Sequence, residues 1–265
     1  MFTILVKCTT QDTNKIFNYI DDYGECLYIY IDLKKYDLED ENFNIWIQYN
    51  NQNDICALIS EYYGGVQIYS KSYDLIPEEI ANFIKKHEYS IIFGMKKTLD
   101  YVYKHLPEYK SEIGVISKLT TLKYHPNHNA YSAPIDELKD IVEIISEDEN
   151  LGKPYGFEVL YNQYYERKEN NFGRNFVLRD ENNEIICHAG TNAELSELAI
   201  ICGVITSPQY RGKGFSKGTL AALCEQLLNE NKNIFSYYFI PSAEKMHIGV
   251  GFEKIGEWMK LKKID

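Results

Sequence analysis

The sequence predicts an α/β protein in two domains, each built on a central mixed β-sheet flanked by helices. With 265 residues the chain exceeds the length of about 100–150 residues at which single domains are commonest. Residues 198–228 read as a buried strand, a basic loop with glycines and a helix, which is an α/β unit. Residues 44–106 show a similar order, in which a hairpin is followed by a helix, a strand and a second helix.

The N-terminal half supplies the following elements in order. Short elements are expected at residues 12–19 and 28–36, strands at 44–49, 55–69 and 90–93, and helices at 77–86 and 98–106. Gly64 and Gly65 divide the second strand segment into a hairpin. Pro77 suits the first turn of a helix, and Glu78 and Glu79 lie at the positive end of its dipole. The short polar segment 107–112 marks a boundary, so we predict domains at 1–112 and 113–265.

In the C-terminal half, strands are expected at residues 114–122, 175–179 and 184–190, and helices at 133–146 and 156–168. The last helix carries Tyr161, Tyr164 and Tyr165, which suit core packing or a ligand pocket. Between the first strand and the first helix, His125 and His128 have metal-ligand spacing. Surface histidines are the commoner use of such a pair, and we expect no metal site.

The loop between the strand at 199–206 and the helix at 216–229 has the properties of an anion site. It contains Arg211, Gly212, Lys213 and Gly214. A helix N-terminus presents unpaired backbone N–H groups, and glycines let a ligand approach them closely. The helix dipole and two cationic side chains favour a phosphate there. The alternative is an ordinary strand-to-helix turn. The spacing excludes a P-loop and disfavours a dinucleotide fingerprint.

Composition narrows the class of protein. The longest apolar runs are far shorter than the roughly 18 residues of a membrane span, so we expect a protein without one. A net charge of −11 argues against nucleic acid as the main partner. Six cysteines lie mostly within apolar runs and lack CxxC spacing, which predicts reduced core residues and a cytoplasmic location.

Two short motifs in the C-terminal half resemble those of a known protein family. Residues 209–214, QYRGKG, resemble the Q/R-x-x-G-x-G/A motif of the GNAT superfamily of acyl-CoA-dependent N-acyltransferases. Gly251-Phe252 resembles the family's closing segment. The resemblance implies two GNAT-like domains, of which the N-terminal one is degenerate and binds no cofactor. It also implies acetyl-CoA as co-substrate. The residues that would hold it belong to the strand at 199–206 and to the loop and helix start after it: Val204, Ile205, Thr206, Arg211, Gly212, Lys213, Gly214, Phe215 and Ser216.

Acyl transfer to an amine further calls for a base, and benefits from an acid for the leaving thiolate. Family positions for the base point to Glu197 or Glu194, although each also suits a solvated strand end. The family's usual tyrosine acid corresponds to His247, and its usual asparagine to Ile240. A partly protonated imidazole can serve as an acid at neutral pH, although His247 also suits a helix position with no role.

These features predict an N-acetyltransferase that moves an acetyl group from acetyl-CoA directly to an amine. The alternative is a non-catalytic CoA-binding sensor or interaction module, which the replacement of tyrosine and asparagine keeps open. The acceptor is a small-molecule or peptide amine whose identity the sequence leaves open, as it does the existence of a homodimer.

Overall fold

The computed structural model describes residues 5–20, 23–62, 64–125, 128–149, 151–153 and 155–264. Its contacts divide the chain into two compact units. The first contains Met1–Val115 together with Gly256–Asp265, and the second contains Ile116–Ile255. Each unit combines helices with a mixed sheet, so the predicted α/β class is confirmed.

The elements follow in chain order. Up to residue 103 they are β1 (Val6–Lys7), α1 (Thr13–Tyr19), α2 (Leu27–Lys35), β2 (Phe43–Tyr49), β3 (Ile55–Tyr62), β4 (Gly65–Tyr69), α3 (Pro77–His87), β5 (Ile91–Met95) and α4 (Lys96–Tyr103). The remainder are β6 (Tyr109–Leu119), β7 (Tyr131–Ser132), α5 (Leu138–Ser146), α6 (Phe157–Glu169), β8 (Asn175–Arg179), β9 (Ile185–Glu194), β10 (Leu198–Thr206), α7 (Phe215–Asn229), β11 (Asn233–Tyr238), α8 (Pro241–Val250) and β12 (Phe252–Lys263).

The sheet of the first unit has the strand order β1-β2-β3-β4-β5-β12. The β3–β4 hairpin is antiparallel, as the two glycines predict, whereas β4 and β5 run parallel across the α3 crossover. Helix α3 begins at Pro77 and buries Ile80, Ala81 and Ile84, which recur at helical spacing, against the sheet. The second half of β12 completes this unit, since Trp258 pairs with Met95 and Leu261 with Ile92.

The sheet of the second unit has the order β6-β11-β10-β9-β8-β7. Strands β10 and β11 are parallel, while β7 to β10 form an antiparallel series. Alternation along β8 separates the two faces of the sheet. Phe176 packs into the core cluster under α7, and Val177 packs into the cluster under α5 and α6. The sheet is therefore covered by helices on both faces.

Several sequence-based boundaries need correction. The segment 107–112 is not a linker, because β6 begins at Tyr109, whose ring is buried and whose hydroxyl donates to the Tyr89 carbonyl. Residues 256–265 group with the first unit, because the end of β12 pairs with β5. Strand β9 extends to Glu194, four residues beyond its predicted end. The division into domains at 1–112 and 113–265 stays a prediction.

The cysteines lie where core residues lie. All six are buried except Cys202, which is half-buried. Across the part of the chain that the structure describes, every helix is too short or too polar to cross a membrane.

Candidate functional site

The loop between β10 and α7 is shaped as the sequence predicts for an anion site. A 3₁₀ turn, Pro208–Tyr210, leads into Arg211, and α7 then starts at Phe215. Gly212 and Gly214 have φ of +80° and +84°, which is left-handed backbone that favours glycine. Open space surrounds both α-carbons, and in the described structure no side chain caps α7. Its first-turn N–H groups therefore face outward, where the helix dipole favours a phosphate.

Three cationic side chains surround this loop. Arg211 is fixed by its Nε, which donates to the Thr206 carbonyl at 3.0 Å, and its Nη2 lies 3.7 Å from Asp148. Lys213 lies over the ring of Tyr210. Sequence reasoning missed Lys217, whose Nζ lies over the ring of Tyr124 at 4.3 Å. Its place in the first turn of α7, which carries no acidic residue, was the available signal.

Strands β10 and β11 diverge beside this loop. Their ladder runs from Leu198 paired with Asn233 to Ile201 paired with Ser236, and β10 continues without β11 to Thr206. The last part of β10 thus presents one edge that the parallel partner does not pair. Val204, Ile205 and Thr206, the residues predicted to hold the pantetheine arm, lie on this part of the strand.

A bulge separates the two parts of β10, as Gly203 predicts. Cys202 pairs with Gly190 and Ile205 with His188, so β10 has one residue more than β9 between these pairs. Gly203 has φ of +59°. A Cβ at this residue would lie 2.7 Å from the hydroxyl oxygen of Tyr164. Glycine is required here both by the backbone conformation and by the space.

His188 bridges three strands beneath this bulge. Its Nδ1 lies 2.6 Å from the Gly203 carbonyl oxygen, and its Nε2 lies 2.9 Å from Asn175 Oδ1 in β8. The ring is fully buried, and burial lowers the pKa of His188 to about 4. A neutral ring has one N–H, which must be at Nδ1 because a carbonyl oxygen only accepts. Nε2 then needs a donor, and the side-chain amide of Asn175 supplies one once its oxygen and nitrogen exchange places, an assignment that follows from the hydrogen bonding.

His247 lies on the opposite face, at the point of divergence. Its Nε2 is 2.8 Å from Ser236 Oγ, and its Nδ1 is 2.7 Å from the Ala243 carbonyl oxygen. Burial lowers the pKa of His247 to about 4, so the ring is neutral at neutral pH. The carbonyl requires the proton at Nδ1, and Nε2 accepts from Ser236. The lowered pKa makes the imidazolium a minor form at neutral pH, and the acid role of His247 stays a prediction.

The two predicted glutamates lie at the other end of β10. Glu194 is buried, and its carboxylate accepts two hydrogen bonds from Arg174 and one from Thr191. This carboxylate ties strands together, and its role as a base stays a prediction. Glu197 is half-buried and accepts from the Ser196 hydroxyl at 2.7 Å. It lies four residues before Ile201, or about 13 Å along the strand from the divergence.

The histidine pair also differs from expectation. His125 is exposed as predicted, whereas the ring of His128 is half-buried against Gly218 and Phe215 of α7. In the described residues, no group of three or more potential ligands surrounds either ring.

The comparisons with known proteins bear directly on this site. Residues 138–245 match the family described as Acetyltransferase (GNAT) family. This match covers α5 to the first part of α8 and so includes the loop and the diverging strands. Residues 138–245 form a GNAT acetyltransferase domain. The matched domain belongs to an acyltransferase family, whose members use acetyl-CoA as co-substrate.

Solved structures with similar folds cover nearly the whole chain. A GNAT-family acetyltransferase from Colwellia psychrerythraea is 13% identical over 100% of both chains, with a TM-score of 0.65. A GCN5-related N-acetyltransferase from Sphaerobacter thermophilus is 14% identical over 98% of this chain and 95% of that one, with a TM-score of 0.67. No curated protein matches.

A third structure, titled a tandem GNAT protein from the clavulanic acid biosynthesis pathway, covers 98% of both chains at 9% identity and a TM-score of 0.62. At these identities the likeness concerns the fold alone. It fits an arrangement of two GNAT-like domains, which is the predicted fold.

The GNAT domain thus brings together some of the predicted residues and separates others. The loop follows directly on the end of β10, and Cys202 and Ser236 lie where β10 and β11 part. His247 hydrogen-bonds Ser236 at that point, whereas Glu194 and Glu197 lie near the other end of β10. Sequence reasoning missed His188, Asn175 and Ser236, because their side chains meet across strands that are distant in sequence.

Proposed function

We propose that this protein is an N-acetyltransferase that transfers the acetyl group of acetyl-CoA directly to an amine. The observation that carries the proposal is the uncapped start of α7 behind two left-handed glycines, next to the diverging strands. The start of α7 offers charge and N–H groups to a diphosphate. The diverging strands offer a strand edge to the amides of a pantetheine arm. Acetyl-CoA carries both a diphosphate and a pantetheine arm, so one ligand would use both features.

The loop residues have distinct parts in this proposal. The amides of Lys213, Phe215 and Ser216 bind the diphosphate, while Gly212 and Gly214 let it approach. Arg211 and Lys213 add positive charge, as does Lys217. Val204, Ile205 and Thr206 pair with the pantetheine arm as an added strand would. This places the thioester near Cys202 and Ser236, where the strands part.

The transfer itself needs few groups from the protein. The amine attacks the thioester carbonyl, the C–S bond breaks, and the proton lost by nitrogen passes to the thiolate. Holding the reactants together supplies much of the rate. For the deprotonation of the incoming ammonium we propose Glu197, acting through water because of its distance. For His247 we propose that it orients the Ser236 hydroxyl beside the thioester, in place of the acid role.

The first unit has features that oppose CoA at its corresponding loop. The helix after β4 begins with Pro77, which lacks an N–H, and Glu78 and Glu79 bring negative charge to its start. The amide of Lys71 donates to Tyr19 Oη, and that of Tyr73 donates to Ser70 Oγ. We propose that this unit has no cofactor. A homodimer and a cytoplasmic location stay predictions.

Titration calorimetry with acetyl-CoA and with CoA tests the proposal. Wild type is compared with a Gly212→Asp/Gly214→Asp variant, in which two carboxylates enter the diphosphate site. We expect binding by wild type and at least a hundredfold weaker binding by the folded variant. A panel of primary amines then identifies the acceptor. Binding without acetylation of any amine would favour a CoA-binding module, and absence of binding by wild type would overturn the proposal.

A further inference from the structure

The buried imidazole of His188 has a geometric role that the loop and the strand edge do not explain. It lies on the α6 face of the sheet, beside the ring of Tyr164 at a centroid distance of 6.0 Å. Its two nitrogens reach β8 on one side and β10 on the other, across its own strand β9. A polar side chain without exposure is costly unless both nitrogens are satisfied, and here both are.

The bulge that His188 contacts determines the register of the end of β10. Along a strand, successive N–H groups point alternately to the two edges, and a shift of one residue reverses the pattern. The extra residue at Gly203 introduces such a shift between Cys202 and Ile205. The bulge thereby selects which amides of the last residues face β9 and which face the cleft. A β10 without the bulge would present the other set.

We propose that His188, oriented by Asn175, is a positioning residue that holds the Gly203 bulge and so selects the amides that β10 offers to the pantetheine arm. The Nδ1–H donates to the Gly203 carbonyl and fixes the direction of that peptide group. Tyr164 supports the arrangement from α6, because its hydroxyl occupies the space that a side chain at residue 203 would need. This inference rests on the proposed function.

The proposal separates two parts of the co-substrate. The diphosphate and nucleotide are bound by the loop, which His188 does not touch, whereas the pantetheine arm and thioester depend on β10. Loss of the His188 hydrogen bond is therefore expected to weaken acetyl-CoA and to leave 3′-phospho-ADP, the nucleotide part alone, unaffected. A general loss of structure would weaken both ligands equally.

The experiment is calorimetry on His188→Leu and His188→Gln with acetyl-CoA and with 3′-phospho-ADP, together with thermal melting. Leucine removes the donor, and glutamine retains an N–H that can reach the carbonyl. We expect acetyl-CoA to bind at least tenfold more weakly to the leucine variant, with partial recovery in the glutamine variant and an unchanged nucleotide affinity in both. Ile141→Val, a core change on α5, is the control and is expected to lower the melting temperature only.

Three results decide the matter. If wild type fails to bind acetyl-CoA, the proposed function falls, and this inference with it. If wild type binds and a folded leucine variant binds acetyl-CoA equally well, only the role of His188 is overturned. Should the leucine variant not fold, ¹⁵N spectra of the wild-type imidazole still test the bridge. A proton at Nδ1 is expected, and a proton at Nε2 alone would contradict it.

Discussion

Arg174 and Glu194 meet side by side, with Nε 2.8 Å from one carboxylate oxygen and Nη2 2.7 Å from the other. The same guanidinium holds Glu230 at the end of α7, where its Nη1 donates at 2.6 Å. Hydrogen bonds and opposite charge from Glu230 and Glu194 raise the pKa of Arg174 although burial opposes this. The cluster joins the end of β9 to the end of α7.

This pair predicts a loss of stability for Glu194→Gln. Removing one partner of a buried ion pair is costly, and although Arg174 keeps Glu230 as a partner we expect a decrease in the free energy of unfolding of about 3 kcal/mol. Chemical denaturation measures it. Glu197→Gln is the matched control and is expected to change stability by less than about 0.5 kcal/mol. If Glu194→Gln were as stable as wild type and yet inactive, the original assignment of Glu194 as base would stand.

The two buried histidines predict a loss of stability in acid. Burial lowers the pKa of His188 and of His247 to about 4, below the ordinary value of 6.5. Between those values the unfolded chain binds more protons, so stability falls as pH decreases from 6.5 towards 4. At pH 5 each histidine is expected to cost about 2 kcal/mol. Melting curves of His247→Gln and wild type at pH 7.5 and 5 check this, because the variant should lose less on acidification.

Asp32 in α2 predicts the opposite dependence of stability on pH. Burial raises its pKa to about 7 from the ordinary 3.8, with Lys35 acting in the other direction. The folded state therefore binds the extra proton between pH 4 and 7, and stability falls as pH rises through this window. Asp32→Asn is expected to stabilise the protein by about 4 kcal/mol at pH 8, and little at pH 4. A benefit that does not grow with pH would contradict the buried ionisation.

Gly251 predicts a site that tolerates no side chain. Its φ is +123°, and a Cβ there would overlap the carbonyl oxygen of Thr121. We expect Gly251→Ala to lower the free energy of unfolding by more than 3 kcal/mol, or roughly the sum of backbone strain and displaced backbone. Gly64→Ala is the control, since its φ is +77° in open space and only about 1 kcal/mol of strain is expected. Equal losses in both variants would show that Thr121 gives way.

The elements that sequence predicted well are those with strong local signals. The strand at 199–206 and the helix at 216–229 are observed as Leu198–Thr206 and Phe215–Asn229, because Pro208 and the glycines separate two clear hydrophobic periods. Pro77 likewise starts α3 where the sequence places it. The loop between β10 and α7 could be predicted because its basic residues and glycines are consecutive.

The rest of the site depends on contacts between distant residues. Arg174 forms an ion pair with Glu194, which lies twenty positions later in the sequence, and no local pattern indicates that pairing. The lowered pKa of His247 follows from burial, and the Ala243 carbonyl fixes its proton at Nδ1; no motif records either feature. The segment 107–112 reads as polar, yet it starts a strand because Tyr109 packs into a core.

Strand β12 has a consequence for the order in which the protein matures on the ribosome. Phe252 at its start belongs to the core of the second unit, whereas Met259 and Leu261 belong to the core of the first. The first unit therefore lacks a strand and two core side chains until some 140 intervening residues have been translated. During that interval the edge of β5 that receives β12 has no partner strand, so a nascent chain of this protein would be an expected client for a holding chaperone.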